Sequence, residues 1–356
     1  MTMTMNRLAG SDCVSEVSSR IAAFFAQKEA LAGAYGRQYV ELWAAAQRSS
    51  EGGKRFRPAL VVNAYRALGG GRDTDAFVVA TAFELLHTAF LLHDDVIDGD
   101  TVRRGIPNLV GAFAAHAAER GVSDASAATW GEASAILAGD LLIHGAQAQI
   151  ARLEIEASTR SALLDLLEEC MFVTAAGELA DVAFSTTVEV PVLSEVLSMT
   201  QWKTAHYSFQ APLRAGAILA GADVETLNAL GEYGHHVGVA FQLRDDVLGI
   251  FGTEHVTGKS AMSDLREGKI TALMCYALQR DGSGELRDVL SRASITESDA
   301  LRARQILQEG GSREFIENLI IDRTRLAMAA INSPALPASL KEQLRAVART
   351  ANERAS

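Results

Sequence analysis

Cysteine is scarce in this chain. Its three residues, Cys13, Cys170 and Cys275, are far apart in a sequence of 356. They exclude a disulfide framework and suit a reducing, cytoplasmic compartment. Proline is also sparse, at six residues, while alanine and leucine abound, which favours an all-helical chain. Positive charge is in deficit: 33 Lys and Arg against 44 Asp and Glu leave a formal net charge of -11. That argues against nucleic acid and against an acidic membrane surface as partners. The N-terminus has Arg7 but no apolar run to follow it, so no signal peptide is read there. The longest apolar run, Ala76 to Leu92, is interrupted by Glu84 and His87 and ends in three aspartates. It is therefore not read as a transmembrane segment.

What the sequence does have is a hydrophobic content of 48%, ample for a large core. The Ala76 to Leu92 run contains no Pro or Gly and reads as a buried helix. Directly after it stands His93-Asp94-Asp95-Val96-Ile97-Asp98. At about 100° per residue, His87, Asp94 and Asp98 share a narrow helical face and Asp95 lies to one side. Like charges one turn apart repel, by a few tenths of a kcal/mol, unless a cation lies between them. Hard oxygen ligands of this kind suit Mg²⁺, which binds through one or two carboxylates, substrate phosphates and water. A second stretch, Val239 to Gly249, repeats the design: an apolar helical run, then Asp245 and Asp246. Two such stretches predict two metal-binding walls facing one cavity.

The rest of the chain reads as helices with short breaks. Residues 1–12 are polar and predicted to be a flexible terminus. Helical spacing runs from Val14 to about Gln47, and Gly52-Gly53 ends it. Pro58 suits the first turn of a helix reaching Leu68, and Asp73 or Thr74 is the expected cap of the next. Residues 119–132 read as a connection. Helices are expected at about Ala133–Glu156, Arg160–Ala183, from Leu193 through Thr204 and beyond, and at Val224–Phe251, with a loop at Ser185–Pro191. The polar, glycine-dotted stretch from Gly252 to Lys269 is read as an active-site loop. Pro334 and Pro337 precede a last surface helix.

The two aspartate motifs resemble those of trans-polyprenyl diphosphate synthases. The resemblance spans about Gly52 to Lys269. It includes Gly52-Gly53-Lys54-Arg55-Phe56-Arg57-Pro58, Glu84-Leu85-Leu86-His87, Arg103-Arg104-Gly105 and Leu137-Ala138-Gly139-Asp140. It continues through Lys203-Thr204, Phe241-Gln242 and Thr257-Gly258-Lys259 to Asp264-Leu265-Arg266-Glu267-Gly268-Lys269. The resemblance implies one large helical domain, residues 13–356, built as a bundle around a central cavity, and a homodimer. It implies condensation of isopentenyl diphosphate with an allylic diphosphate (dimethylallyl, geranyl or farnesyl). About three Mg²⁺ ions would be held by Asp94, Asp95, Asp98, Asp245 and Asp246. Loss of the allylic diphosphate leaves concentrated negative charge, which metal ions and cations must stabilise.

By the same resemblance, Arg103, Lys203 and Lys259 contact the allylic diphosphate. Lys54, Arg57, His87 and Arg104 hold isopentenyl diphosphate, and Lys269 joins the substrate-binding set. Arginine suits this work because its fork meets phosphate oxygens bidentately. Thr204, Phe241 and Gln242 match positions lining the reaction centre, where acceptor oxygens and an aromatic face can steady a cation. The released diphosphate serves as the final base. Leu137 to Asp140 is read as structural, with Gly139 allowing close helix approach. The second motif has Gly249 where the family pattern carries a further Asp, leaving Asp245 as the direct ligand expected on that wall. Product length falls to the positions five and four before Asp94, Ala89 and Phe90. One small and one large residue there predict a twenty-carbon geranylgeranyl product, with farnesyl or longer chains as the alternative.

Three other readings compete. His93-Asp94 is the core of HD-type metal phosphohydrolases, but that site leaves the second aspartate pair and the Gly-Gly-Lys-Arg stretch without a role. A non-catalytic regulatory subunit of a prenyl synthase could lose aspartates, as at Gly249. A terpene cyclase shares the metal logic but has no use for Lys54, Arg57 and Arg104.

Overall fold

The computed structural model describes residues 11–187, 189–252, 265, 268–292 and 295–353. The expected flexible terminus, apart from its last two residues, and Lys259 with most of the Gly252–Lys269 loop lie outside the described residues. Helix accounts for 80% of the structure with almost no strand, so the chain is all-α. Contacts group it into two compact units.

The first unit comprises the chain up to residue 165 together with residues 215–221. It opens with α1 (Ser11–Ala32), a 3₁₀ turn at Gly33–Tyr35 and α2 (Arg37–Ser50). The single pattern expected from Val14 to Gln47 is thus two helices, broken where Gly36 takes φ +105°, a conformation costly to other residues. Next come α3 (Phe56–Ala67), with Pro58 in its first turn, and α4 (Asp73–Ile97). Neither Asp73 nor Thr74 caps α4. Arg72 occupies the N-cap position, without a side-chain cap bond. Asp73 and Asp75 lie in the first turn, where negative charge complements the helix dipole. They pair with Arg66 at 2.8 Å and with Arg72 at 2.6 Å.

Helix α4 is the core of this unit and packs on α3 and on α6 (Asp124–Ala151). Phe83, Leu85, Leu86 and Leu92 are buried. Each such side chain contributes about 1.5–3 kcal/mol through its burial. By length and composition α4 is apolar enough to cross a membrane. Most of its apolar window is instead enclosed by protein, as in the core helix of a globular unit.

After α4 a two-residue hairpin pairs β1 (Val102–Arg103) with β2 (Ile106–Pro107). Its central residues, Arg104 and Gly105, have φ +56° and +77°. Two positive φ values are the mark of the tight type I′ turn. Asn108 then caps α5 (Leu109–Glu119) by accepting from Gly111 N. The connection expected over residues 119–132 is in fact only residues 120–123. Ser123 caps α6, and the alanine-rich stretch behind it is helical, as alanine favours.

The second unit comprises residues 166–214 and those from 222 onward. It takes most of α7 (Ala157–Thr186) and all of α8 (Leu193–Thr200). Helix α8 continues without a break into a ten-residue π-helical segment, Gln201–Gln210, and then into α9 (Ala211–Leu219). Helix α10 (Val224–Phe251) matches its expected span and is capped by Asp223. It packs against the π segment and against α14. Among the described residues the helices that follow are α11 (Ala272–Leu278), α12 (Glu285–Leu290), α13 (Glu297–Glu309) and α14 (Ser312–Ala330). The last, α15 (Ala338–Glu353), begins just past Pro337, as expected.

Candidate active site

The acidic cluster stands where α4 ends. Asp94 and Asp95 are in its final turn and Asp98 is its C-cap residue, so three carboxylates crowd the negative end of a helix dipole. Such a place demands a cation, and Arg103 supplies one. Its Nε donates to Asp95 Oδ1 at 2.8 Å; its Nη2 donates to Asp95 Oδ1 at 2.6 Å and to Asp94 Oδ2 at 3.2 Å. Asp95 is almost fully enclosed, and burial raises its carboxyl above the ordinary value although Arg103 opposes the change. The hairpin turn explains how two adjacent arginines part company. Arg103 returns to α4, while Arg104 Nη1 donates to Glu51 O at 3.1 Å beside Gly52.

Two turns earlier on α4 the chemistry reverses. His87 is surrounded by Arg57, Arg103, Arg104 and Arg55, and burial together with these charges holds its imidazole well below 6.5. It is therefore neutral near pH 7. Arg57 is buried and its guanidinium lies 4.5 Å from the Phe56 ring, whereas Lys54 is exposed. Four basic or neutral groups named from the sequence, Lys54, Arg57, His87 and Arg104, are thus gathered within one unit. Sequence reading missed Arg55. Its side chain turns inward and donates from Nη1 to Glu84 Oε1 at 2.6 Å.

His93 faces away from this cluster. Its Nε2 lies 3.3 Å from Ile136 O and 3.4 Å from Asp140 Oδ1 on α6. A Cβ on Gly139 would stand 2.2 Å from that nitrogen, so only glycine admits the ring. The close helix approach expected at Gly139 is present. Ala89 is fully enclosed and Phe90 is half-buried.

In the second unit Lys203 and Thr204 lie on the π segment, a form concentrated at functional sites. The segment is seated on glycines. A Cβ at Gly177 of α7 would fall 2.2 Å from Lys203 N, and one at Gly238 of α10 would fall 2.5 Å from Ala205 Cβ. Lys203 Nζ donates to Glu178 Oε1 at 2.9 Å and to Asp181 Oδ2 at 2.7 Å. Neither acid was singled out from the sequence, although both follow Gly177 on one face of α7. Phe241 packs on Phe209 of the π segment with ring centroids 5.3 Å apart. Gln242 Nε2 donates to Asp246 Oδ1 at 2.9 Å. Asp246 is buried, and Asp245 is half-buried. Between Gln242 and these aspartates, Arg244 is enclosed and pairs with Glu317 of α14 at 2.6 Å, which pins the end of α10.

Among the described residues, no three His, Cys, Asp or Glu side chains converge as a metal cage. Mg²⁺ keeps waters and takes phosphate oxygens into its shell, so one or two carboxylates suffice to hold it. The donor set fits this ion. Asp94 and Asp95 are hard carboxylates already bridged by a guanidinium, a stand-in for a cation.

A family model described as polyprenyl synthetase matches residues 41–307. This chain is a member of that family. The polyprenyl synthetases most similar to it include the geranylfarnesyl diphosphate synthase of Aeropyrum pernix. That protein is 34% identical over 302 residues, covering 82% of this chain and 87% of its own. The geranylgeranyl diphosphate synthase of Methanosarcina mazei is 36% identical over 270 residues, covering 76% of each. Among solved structures, the geranylgeranyl pyrophosphate synthase of Corynebacterium glutamicum, complexed with isoprenyl diphosphate and magnesium, superposes with a TM-score of 0.88. It has 29% sequence identity and covers 95% of this chain and 97% of its own. The chain is thus a prenyltransferase of isoprenoid biosynthesis.

Proposed function

We propose that this prenyltransferase joins isopentenyl diphosphate to an allylic diphosphate with the residues described above. The observation that carries the proposal is the pair of opposite clusters on one helix. Asp94 and Asp95, bridged by Arg103, stand seven residues beyond His87 and its arginines. That is about 10 Å along a helix axis. The acidic cluster suits a diphosphate accompanied by metal, and the basic cluster suits one without. Asp94, Asp95 and Asp98 on α4, and Asp245 and Asp246 on α10, would hold about three Mg²⁺ ions. Bound there, the ions would neutralise the leaving diphosphate and lower the barrier to breaking its carbon–oxygen bond.

The chain's own groups do the rest. Arg103 and Lys203, with Lys259, bind the allylic diphosphate by charge-assisted hydrogen bonds. Lys54, Arg57 and Arg104 bind the second diphosphate. Neutral His87 donates a hydrogen bond without adding a titrating charge. Gln242 is oriented by Asp246, and Phe241 by Phe209, to line the reacting carbons with Thr204. Lys269 completes the substrate set. After the new carbon–carbon bond forms, a proton passes to the released diphosphate. Residues 13–356 would act as one isoprenoid synthase domain in the cytoplasm, where buried thiols such as Cys13, Cys170 and Cys275 stay reduced. A homodimer would cover exposed apolar side chains such as Ile136 and Leu137 of α6. The small Ala89 and relatives named for geranylgeranyl and geranylfarnesyl products support a mainly twenty-carbon product, and relatives named for farnesyl diphosphate keep a shorter or longer chain as the alternative.

Asp94→Ala and Asp95→Ala test this reading. Each should keep its helix content by circular dichroism while kcat falls by orders of magnitude and KM rises less, as for a group that acts in the transition state. Near wild-type kcat in either variant with Mg²⁺ would remove the aspartates from the reaction.

A further inference from the structure

Lys54 and Arg57 flank a residue with an unusual conformation. Arg55, at the N-cap of α3, has φ +51° and ψ +33°, the left-handed region. Outside glycine that conformation costs about 1–2 kcal/mol and persists only where the surroundings enforce it. Here the enforcement is visible. The Arg55 side chain is 7% exposed, and its Nη1 donates to Glu84 Oε1 at 2.6 Å. Its Nη2 donates to Ser50 O at 2.8 Å, closing the loop that leaves α2. Glu84 is 5% exposed and sits on α4 one turn before His87. Gly53 leaves room for the pair, since a Cβ there would stand 3.3 Å from Glu84 Oε1 and 3.6 Å from Arg55 Nη1.

The pair is poorly explained as a source of stability. Glu84 Oε2 is buried and has no hydrogen-bond partner. A buried carboxylate with half its acceptor capacity unused carries a desolvation penalty that one ion pair repays only in part. What the pair does achieve is geometric. It fastens the turn between Lys54 and Arg57 to the helix that carries His87, and it points Arg55 inward while its neighbours remain outside the pair.

We propose that Arg55 and Glu84 are positioning residues for the isopentenyl diphosphate subsite, touching no substrate themselves. The buried pair holds Arg55 in the left-handed turn, and the turn sets Lys54 and Arg57 against His87 and Arg104. This rests on the assignment of those four residues to isopentenyl diphosphate made above. It extends that assignment by explaining why a strained arginine paired with Glu84 lies between Lys54 and Arg57. A misplacement of about 1 Å in a binding group can cost on the order of a hundredfold.

The experiment compares the full-length wild type with Arg55→Met, Glu84→Gln, the double variant Arg55→Met/Glu84→Met, and Lys54→Met. Steady-state KM is measured for isopentenyl diphosphate and for an allylic diphosphate, with thermal melts alongside. Arg55→Met and Glu84→Gln should raise the isopentenyl KM tenfold or more and move the allylic KM less than about threefold. The single variants leave an uncompensated or weakened buried partner, so Tm should fall. The double variant replaces the buried pair by apolar groups, a change that is often neutral or stabilising, so its Tm should return towards wild type. The isopentenyl KM should stay raised in it, which a merely structural role would not produce. Isothermal titration of isopentenyl diphosphate into the double variant reads the same loss without turnover. A double variant whose isopentenyl KM returns to the wild-type value would overturn the proposal. Lys54→Met separates the two levels. If it raises the isopentenyl KM while the pair variants do not, the subsite stands and the positioning role falls. If it leaves that KM unchanged, the subsite assignment falls and the positioning role with it.

Discussion

Replacing Arg103 with glutamine should affect Mg²⁺ binding in opposite directions depending on whether diphosphate is present. The guanidinium makes three contacts of 2.6, 2.8 and 3.2 Å with Asp95 and Asp94. A metal ion must displace it from the same oxygens. Hydrogen bonds to charged groups contribute about 1.5–3 kcal/mol net, and a quarter-exposed arginine side chain belongs at the lower end. Taking about 2 kcal/mol for the displacement, Arg103→Gln should tighten Mg²⁺ binding to the apo-protein by roughly thirtyfold. With inorganic pyrophosphate added, the wild-type guanidinium has a new partner and the variant lacks it. Mg²⁺ should then bind the variant more weakly than the wild type, by a factor on the order of ten or more. Isothermal titration calorimetry at fixed ionic strength, with and without pyrophosphate, reads both constants, and surface electrostatics would otherwise vary with salt. Equal affinities for wild type and variant in both conditions would refute the exchange. So would a variant that binds Mg²⁺ less tightly in the absence of pyrophosphate.

Three further outcomes are expected. Arg104→Ala should raise the KM for isopentenyl diphosphate and Lys203→Ala that for the allylic substrate, by about tenfold each; steady-state kinetics with each substrate varied in turn would show equal effects if the division of subsites is wrong. Ala89→Phe should shorten the product and Phe90→Ala lengthen it, read by chromatography of dephosphorylated products; since Ala89 is fully enclosed, the first should also lower stability by about 1–3 kcal/mol, and unchanged lengths in both would move the floor elsewhere. His87 should make stability fall with acid. Its folded-state value is held below 6.5 by burial and by Arg57, Arg103, Arg104 and Arg55, so below pH 6.5 the unfolded chain takes up a proton that the folded chain refuses. The group's share approaches about 1.4 kcal/mol per pH unit, and His87→Gln should remove it. Denaturant melts at pH 6.5 and 5.5 with the same slope in both proteins would contradict this.

The fold class and most helix positions were legible because apolar spacing reports burial directly. Helix α10 was bounded correctly by Asp223 and Gly252, ordinary start and stop residues. The errors fell where composition misleads. Residues 124–132 are rich in alanine and serine and have little apolar periodicity, yet a capping Ser123 and alanine's own preference make them helix. The break at Gly36 sits inside a pattern that continues on either side of it. In the site, motif residues were legible and their partners were not. Arg55 reads as one more cation beside Lys54 and Arg57; its positive φ and its buried pairing with Glu84 set it apart only in the structure. Glu178 and Asp181 resemble any solvated helix face until Lys203 is seen between them. The π segment has no sequence signature of its own. Its trace is indirect, in glycines at 177, 234 and 238 that leave room for a backbone.

The central claim is that this chain elongates an allylic diphosphate. It is tested most directly by incubating the purified protein with Mg²⁺, isopentenyl diphosphate and, separately, dimethylallyl, geranyl and farnesyl diphosphates. Chromatography of the dephosphorylated products follows. The account predicts longer prenyl alcohols, mainly of twenty carbons, that disappear when Mg²⁺ is chelated. Prenyl alcohols of unchanged length with free phosphate would indicate a phosphohydrolase. No turnover by the protein alone, with activity appearing only when a second synthase is added, would indicate a regulatory subunit. Either result would contradict the account.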